Sequence, residues 1–188
     1  MPVVNVFELP FEVWETRDPT LEESLQHMKS TGIMLHDVKE GLEFRISNHV
    51  EAAKYMLSVG ADSRLERFID DYLDNSQAFK AMRRNMPSRT PKSISNFQQK
   101  YPNYDLYQVE KDINDIGHTL SNGNYLFHGG FWPEERGNAF KTDKPLSTTF
   151  CPQIALRNAE WKGKAFESGE IHLFVLRILN SKTKAFAF

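Results

Sequence analysis

The chain has a single cysteine, Cys151, in 188 residues. That excludes an internal disulfide and any zinc site built on cysteine, and it points to a reducing compartment. Neither sign of charge is in large excess: the formal net charge is −2, which argues against a nucleic-acid footprint spread over the whole protein. No apolar run is long enough to span a bilayer. The opening MPVVNVFELPFEVWETRD lacks a basic region followed by a long apolar stretch, so neither a membrane span nor a signal peptide is expected. His27, His36, His49, His118 and His172 stand at no metal-ligand spacing, and no metal is expected. Internal repeats and low-complexity segments are missing too. What remains is a globular protein of the cytoplasm, or one delivered into a host cytoplasm. Its 14 Phe, 6 Tyr and 3 Trp supply core material for one domain, or for one domain and a small appendage.

Met1 to Pro19 reads as an extended arm with a short strand near Val3 to Phe7. Thr20-Leu21-Glu22-Glu23 is a capping box that opens a helix; Leu21, Leu25 and Met28 make its apolar stripe, and Gly32 marks its stop. Ile33 to Val38 and Leu42 to Ile46 read as a half-buried hairpin around Lys39-Glu40-Gly41, with Leu42, Phe44 and Ile46 alternating with polar residues. Asn48 with Glu51 is a second capping box, opening a helix to about Ser58 with Gly60 after it. Ser63 with Glu66 is a third. Leu65, Phe68, Ile69, Tyr72 and Leu73 follow at helical spacing, a stripe read as core rather than as a cofactor contact. Residues 1 to 100 thus read as a mainly helical subdomain with a small β element.

Lys80 to Lys92 holds five basic residues, Lys80, Arg83, Arg84, Arg89 and Lys92, and no acid. Pro87 and Pro91 make it a loop. It is either solvated or a contact for a phosphate-bearing ligand or an acidic partner. Leu106, Val109, Ile113, Ile116 and Leu120 predict a helix from Asp105 to Leu120, with Gly123 as its stop. Glu170 to Leu179 alternates Ile171, Leu173 and Val175 against His172 and Phe174, a strand pattern. Ala185 to Phe188 reads as a last strand.

The chain is organised around Asn124 to Trp161. Tyr125-Leu126-Phe127 is strand-like and runs into His128-Gly129-Gly130. Lys144-Pro145-Leu146 runs into Ser147-Thr148-Thr149-Phe150, and a helix is expected from Gln153 to Trp161. Between them, Pro133 to Lys141 is a loop. The first strand end presents one titratable ring beside backbone bare enough for close ligand approach. The second presents three hydroxyls. Neighbouring strands of this kind line one cleft.

This stretch resembles the NAD-binding core of the ADP-ribosyltransferase superfamily. In that family an aromatic or apolar strand ends in Arg-Gly or His-Gly, a Ser-Thr-Ser-like strand follows, and then comes a helix with small residues toward the sheet, here Ala155 and Ala159. The resemblance implies an α+β protein: a helical N-terminal half, then a split β-sandwich core over residues 101 to 188. It implies NAD as substrate, cleavage of the nicotinamide–ribose bond, and transfer of ADP-ribose to a macromolecular acceptor, a protein more than a nucleic acid. The implied type is a mono-ADP-ribosyltransferase of bacteria or phage, a toxin or effector. His128 then bonds the adenosine-side ribose or a phosphate, and backbone around Gly129 and Gly130 bonds the carboxamide. Ser147 supports the cleft through its hydroxyl, with Thr148 and Thr149 shaping its floor. Phe127, facing away from His128, is core. Trp132 is either a stacking cap or a packing residue.

Two departures accompany the resemblance. His128 stands where the Arg-Ser-Glu branch has arginine. This resembles the His-Gly of the poly-ADP-ribose polymerase and diphtheria-toxin branch, and also that of the NAD-dependent RNA 2′-phosphotransferases, so NAD-dependent phosphotransfer from RNA is an alternative function that the resemblance implies. The family's catalytic glutamate belongs to a late strand. The late acids here are Glu160, Glu167 and Glu170, and none lies in a Glu-x-Glu pattern. Three readings follow: an N-terminal fragment of a longer transferase, Glu170 or Glu167 standing in as the catalytic carboxylate, or a catalytically silent binding module. Cys151 has no evident base beside it and is not read as a nucleophile.

Overall fold

The structure, a computed structural model, describes residues 2–100, 103–130, 142, 144–160 and 169–187. These form an α+β arrangement of seven helices and three two-stranded antiparallel sheets. Two compact units are present: Phe7–Asn48, and Met1–Val6 together with His49–Phe188. The units therefore part near residue 48 and not near residue 100. Helices from before residue 100 pack on elements from after it.

In the smaller unit, β1 (Phe11–Arg17) pairs with β2 (Val38–Ile46), Phe11 opposite Ile46 and Arg17 opposite Val38. The strand expected at Val3 to Phe7 thus lies later, at Phe11. The expected hairpin around Gly41 is one continuous strand, because β1 offers a partner along its whole length and the chain need not fold back. Helix α1 (Leu21–Thr31) carries its capping box in full: Thr20 N–H donates to Glu23 Oε2 at 2.8 Å, and Glu23 N–H donates to Thr20 Oγ1 at 3.3 Å. Gly32 ends it at φ 73°, a left-handed conformation that suits glycine. Arg17 forks onto Glu23 and holds that carboxyl at about 2. The stripe Leu21, Leu25 and Met28 is exposed and is not core.

In the larger unit, α2 (His49–Val59) and α3 (Ser63–Asn75) precede α4 (Gln77–Arg84), α5 (Lys92–Gln99) and α6 (Leu106–Ile116). The cap of α3 is Asp62 and not Ser63: its carboxylate accepts Arg64 N–H at 2.8 Å and Tyr55 O–H at 2.6 Å. The basic run is only half loop. Ser76 caps Phe79 N–H, and α4 carries Lys80, Arg83 and Arg84 before the prolines stop it. Helix α6 starts on Asp105 as expected but ends at Gly117, where a Cβ would lie 2.3 Å from the Ile113 carbonyl oxygen. The chain then turns into β3 (His118–Thr119), which pairs with β6 (Lys184–Ala185).

The sheet that matters for the site is β4 (Tyr125–Gly129) with β5 (Leu173–Arg177); α7 (Pro152–Glu160) packs on it, joined by α2. Leu65, Ile69, Val109, Phe127 and Leu156 are buried in this unit. A closed polar network ties α7 to α3. Asp62 N–H donates to Gln153 Oε1 at 2.9 Å, Gln153 Nε2 donates to Glu66 at 2.8 Å, and Arg157 forks onto the same carboxylate. Buried polar groups so satisfied fix one arrangement of the helices. The expected loop at 133–141, Trp132 and Glu167 lie outside the described residues.

Candidate functional site

Strand β4 alternates. Tyr125, Phe127 and Gly129 turn to one face, and Leu126 and His128 to the other. The first face is packed shut. The His49 ring stacks on Tyr125 at 4.7 Å and lies 5.6 Å from Phe127. Burial pushes the His49 imidazole down to about 4, so it is neutral at pH 7. Gly129 meets α7 so closely that a Cβ there would sit 1.7 Å from the Ala155 carbonyl oxygen. Asn158 Nδ2 donates to the Gly129 carbonyl at 3.2 Å. Gly129 is thus the contact point of strand and helix, and Phe127 is fully buried as expected.

The second face holds a row of rings. His128 lies opposite Phe174 in the register, with ring centroids 6.1 Å apart. Phe174 in turn stacks with His172 at 6.0 Å and 15°. Glu170 ends the row: its Oε2 is 3.4 Å from His172 Nε2, and its side chain is 70% exposed. Gly130, at φ 144°, donates its N–H to the His172 carbonyl at 3.2 Å. His128, Phe174 and His172 thus share one sheet face, with the Phe174 ring between the two imidazoles and Glu170 beyond His172.

The hydroxyl cluster joins at the other edge of β4. Phe127 N–H donates to Thr149 O at 2.7 Å and Thr149 N–H returns to Phe127 O at 3.0 Å. This single antiparallel bridge is all that forms of the expected Ser-Thr-Thr strand. His128 Nδ1 donates to the Ser147 carbonyl oxygen at 2.8 Å. A carbonyl only accepts, so Nδ1 carries a proton. The Ser147 and Thr148 side chains are exposed. Thr149 is committed elsewhere: its Oγ1 accepts Cys151 N–H at 3.1 Å and sets the start of α7, where Pro152 follows. Cys151 is buried, and burial raises its thiol pKa.

Phe174, His172 and Asn158 act here without a local motif to announce them. The strand alternation places His172 and Phe174 on one face, but only the register with β4 brings them to His128. Among the described residues no three His, Cys, Asp or Glu side chains gather as metal ligands, and no helix is long and apolar enough to cross a membrane. Comparison with protein-family models, curated proteins and solved structures finds no match.

Proposed function

We propose that the larger unit binds NAD at the His128–Ser147 edge of β4 and transfers ADP-ribose to a macromolecular acceptor, as a mono-ADP-ribosyltransferase. The observation that carries the reading is the contact of His128 Nδ1 with the Ser147 carbonyl oxygen at 2.8 Å. A strand end and a segment 19 residues further on meet at one edge, which a shared cleft requires. With Nδ1 held by that carbonyl, the imidazole is fixed in place beside the proposed ribose site. Ser147 and Thr148 follow at the same edge with their side chains exposed. Glu170 is the carboxylate available to the reaction, in which positive charge develops on the ribose as nicotinamide departs; a carboxylate placed toward that charge lowers the barrier. His172 orients it. In this reading the α+β fold is the transferase core, and the β4–β5 pair with the Thr149 bridge forms the floor of the site.

The test is calorimetric titration of the chain with NAD, paired with radiolabelled NAD in a cell lysate. Binding that weakens at least about tenfold in His128→Ala, together with label on a macromolecule, supports the proposal. Neither binding nor product overturns it. A second reading is binding without transfer. It is favoured by the position of Glu170, whose carboxylate turns to His172 with the Phe174 ring between that imidazole and His128. It expects the same titration and no labelled product.

A further inference from the structure

The charge of the chain is unevenly distributed. From Ser76 to Tyr104 there are six cations, Lys80, Arg83, Arg84, Arg89, Lys92 and Lys100, and no Asp or Glu. The whole chain carries −2, so the remainder carries −8. All six cations are exposed, and among the described residues none of them enters an ion pair. By contrast Met82, Met86 and Ile94 of the same stretch are buried at 1%, 8% and 4% exposure. The stretch is therefore a platform anchored by buried apolar side chains, with its cations at the surface.

The platform is also anchored by polar contacts. Arg83 Nη1 donates to the Ala187 carbonyl at 2.6 Å, and His118 Nε2 donates to the Asn85 carbonyl at 2.7 Å. On α4, Lys80, Arg83 and Arg84 are three and four residues apart and share one helix face. Helix α5 begins at Lys92, after Pro91, with no side chain capping its first amides, which adds partial positive charge there.

We infer that this stretch, from α4 to the end of α5, binds the phosphate backbone of a nucleic acid. An acidic protein is the other polyanion to weigh. Protein interfaces need an apolar or aromatic centre. Among the described residues from Ser76 to Lys100, no large hydrophobic side chain is exposed. Cations without an apolar centre suit a row of phosphates, where counterion release supplies the affinity. The −8 of the remaining chain repels a polyanion elsewhere and confines it to this stretch. The Phe79 ring on α4 meets Phe150 edge-on at 5.9 Å, which ties α4 to the segment that follows Thr149. The inference stands on charge and does not require NAD to bind.

The experiment is fluorescence anisotropy with a labelled single-stranded RNA and a DNA duplex of about 20 units each, from about 50 to about 200 mM salt. Binding of either probe with a log–log salt slope of about −3 to −5 is expected. The triple variant Arg84→Glu, Arg89→Glu, Lys92→Glu is expected to lose at least about tenfold in affinity and to flatten the slope by about 2 to 3. Lys29→Glu on α1 is expected to change neither. If the triple reversal lowers the melting temperature, the same three positions changed to Gln keep the comparison on a folded protein. No binding at the lowest salt, an unchanged triple variant, or an equal loss in Lys29→Glu overturns the inference. Polyglutamate of matched charge competing as well as RNA also overturns it, in favour of an acidic protein.

Discussion

Gly129 and Ala155 approach so closely that strand and helix touch backbone to backbone: a Cβ at 129 would lie 1.7 Å from the Ala155 carbonyl oxygen and 2.6 Å from its carbon. Neither atom is the movable end of a side chain. Gly129→Ala is therefore expected to destabilise the larger unit by about 2 to 3 kcal/mol or more, as overpacking in a fixed core does. Thermal unfolding followed by circular dichroism reads this directly. An unchanged melting temperature would mean that α7 can slide away from β4.

Stability is expected to depend on His49. Its imidazole falls to about 4 when folded, from an ordinary value of 6.5, because burial disfavours the charged form. A depressed folded value means that the unfolded state takes up the proton first. The stabilisation is whole above about 6.5 and is lost as pH falls toward 4, by about 2 kcal/mol between pH 7 and pH 5. Chemical denaturation at those two pH values checks the loss. His49→Phe, which keeps a ring against Tyr125, should remove most of that difference.

Asp62 caps α3 and receives the Tyr55 hydroxyl at 2.6 Å. Burial works against its charge, but the hydrogen bonds from Arg64 and Tyr55 outweigh burial and hold its carboxyl below the usual range. Asp62→Ala removes the cap and strands a hydroxyl that is pushed up to about 12. A loss of about 2 to 4 kcal/mol in urea unfolding is expected. Tyr55→Phe should cost less, because Arg64 still satisfies the carboxylate.

If transfer occurs, Glu170→Gln should cut it by about a hundredfold or more while NAD affinity changes little, because the carboxylate acts on charge that develops only in the transition state. Single-turnover transfer from radiolabelled NAD, beside a calorimetric titration, separates the two quantities. Equal loss in both would make Glu170 a binding group.

Cys151 is buried and its thiol is raised by that burial, so an alkylating reagent should reach it only through opening of α7. Its labelling rate at neutral pH should rise in step with denaturant-induced unfolding.

Local signals read from the sequence held where the interaction is local. Thr20 and Glu23 cap each other across three residues, and Gly32 closes the same helix. The face reversal along Phe127-His128 follows from strand geometry alone. What depended on distant partners did not read so well. Phe11–Arg17 claims Val38–Ile46 from more than twenty residues away, and nothing in either segment announces that pairing. Asp62 displaced Ser63 as a cap because a carboxylate there also serves Tyr55 and Arg64. Gly117 stopped α6 before Gly123 because the chain had to turn toward Lys184–Ala185. For the site, the sequence pattern placed His128 beside the hydroxyl run, but it read the glycine after His128 as room for a ligand. In the fold that room is taken by α7, whose position depends on Glu66, Gln153 and Arg157.

The amide of Val4 is held by the side chain of Asn124, 120 residues further on, at 2.9 Å. During synthesis Val4 therefore leaves the ribosome long before its acceptor exists. At about 5 to 20 residues per second, the first segment waits several seconds or more with its valines uncovered. A chaperone or a neighbouring nascent chain meets those valines first, so fusions placed just ahead of them should disturb yield more than the finished molecule's stability.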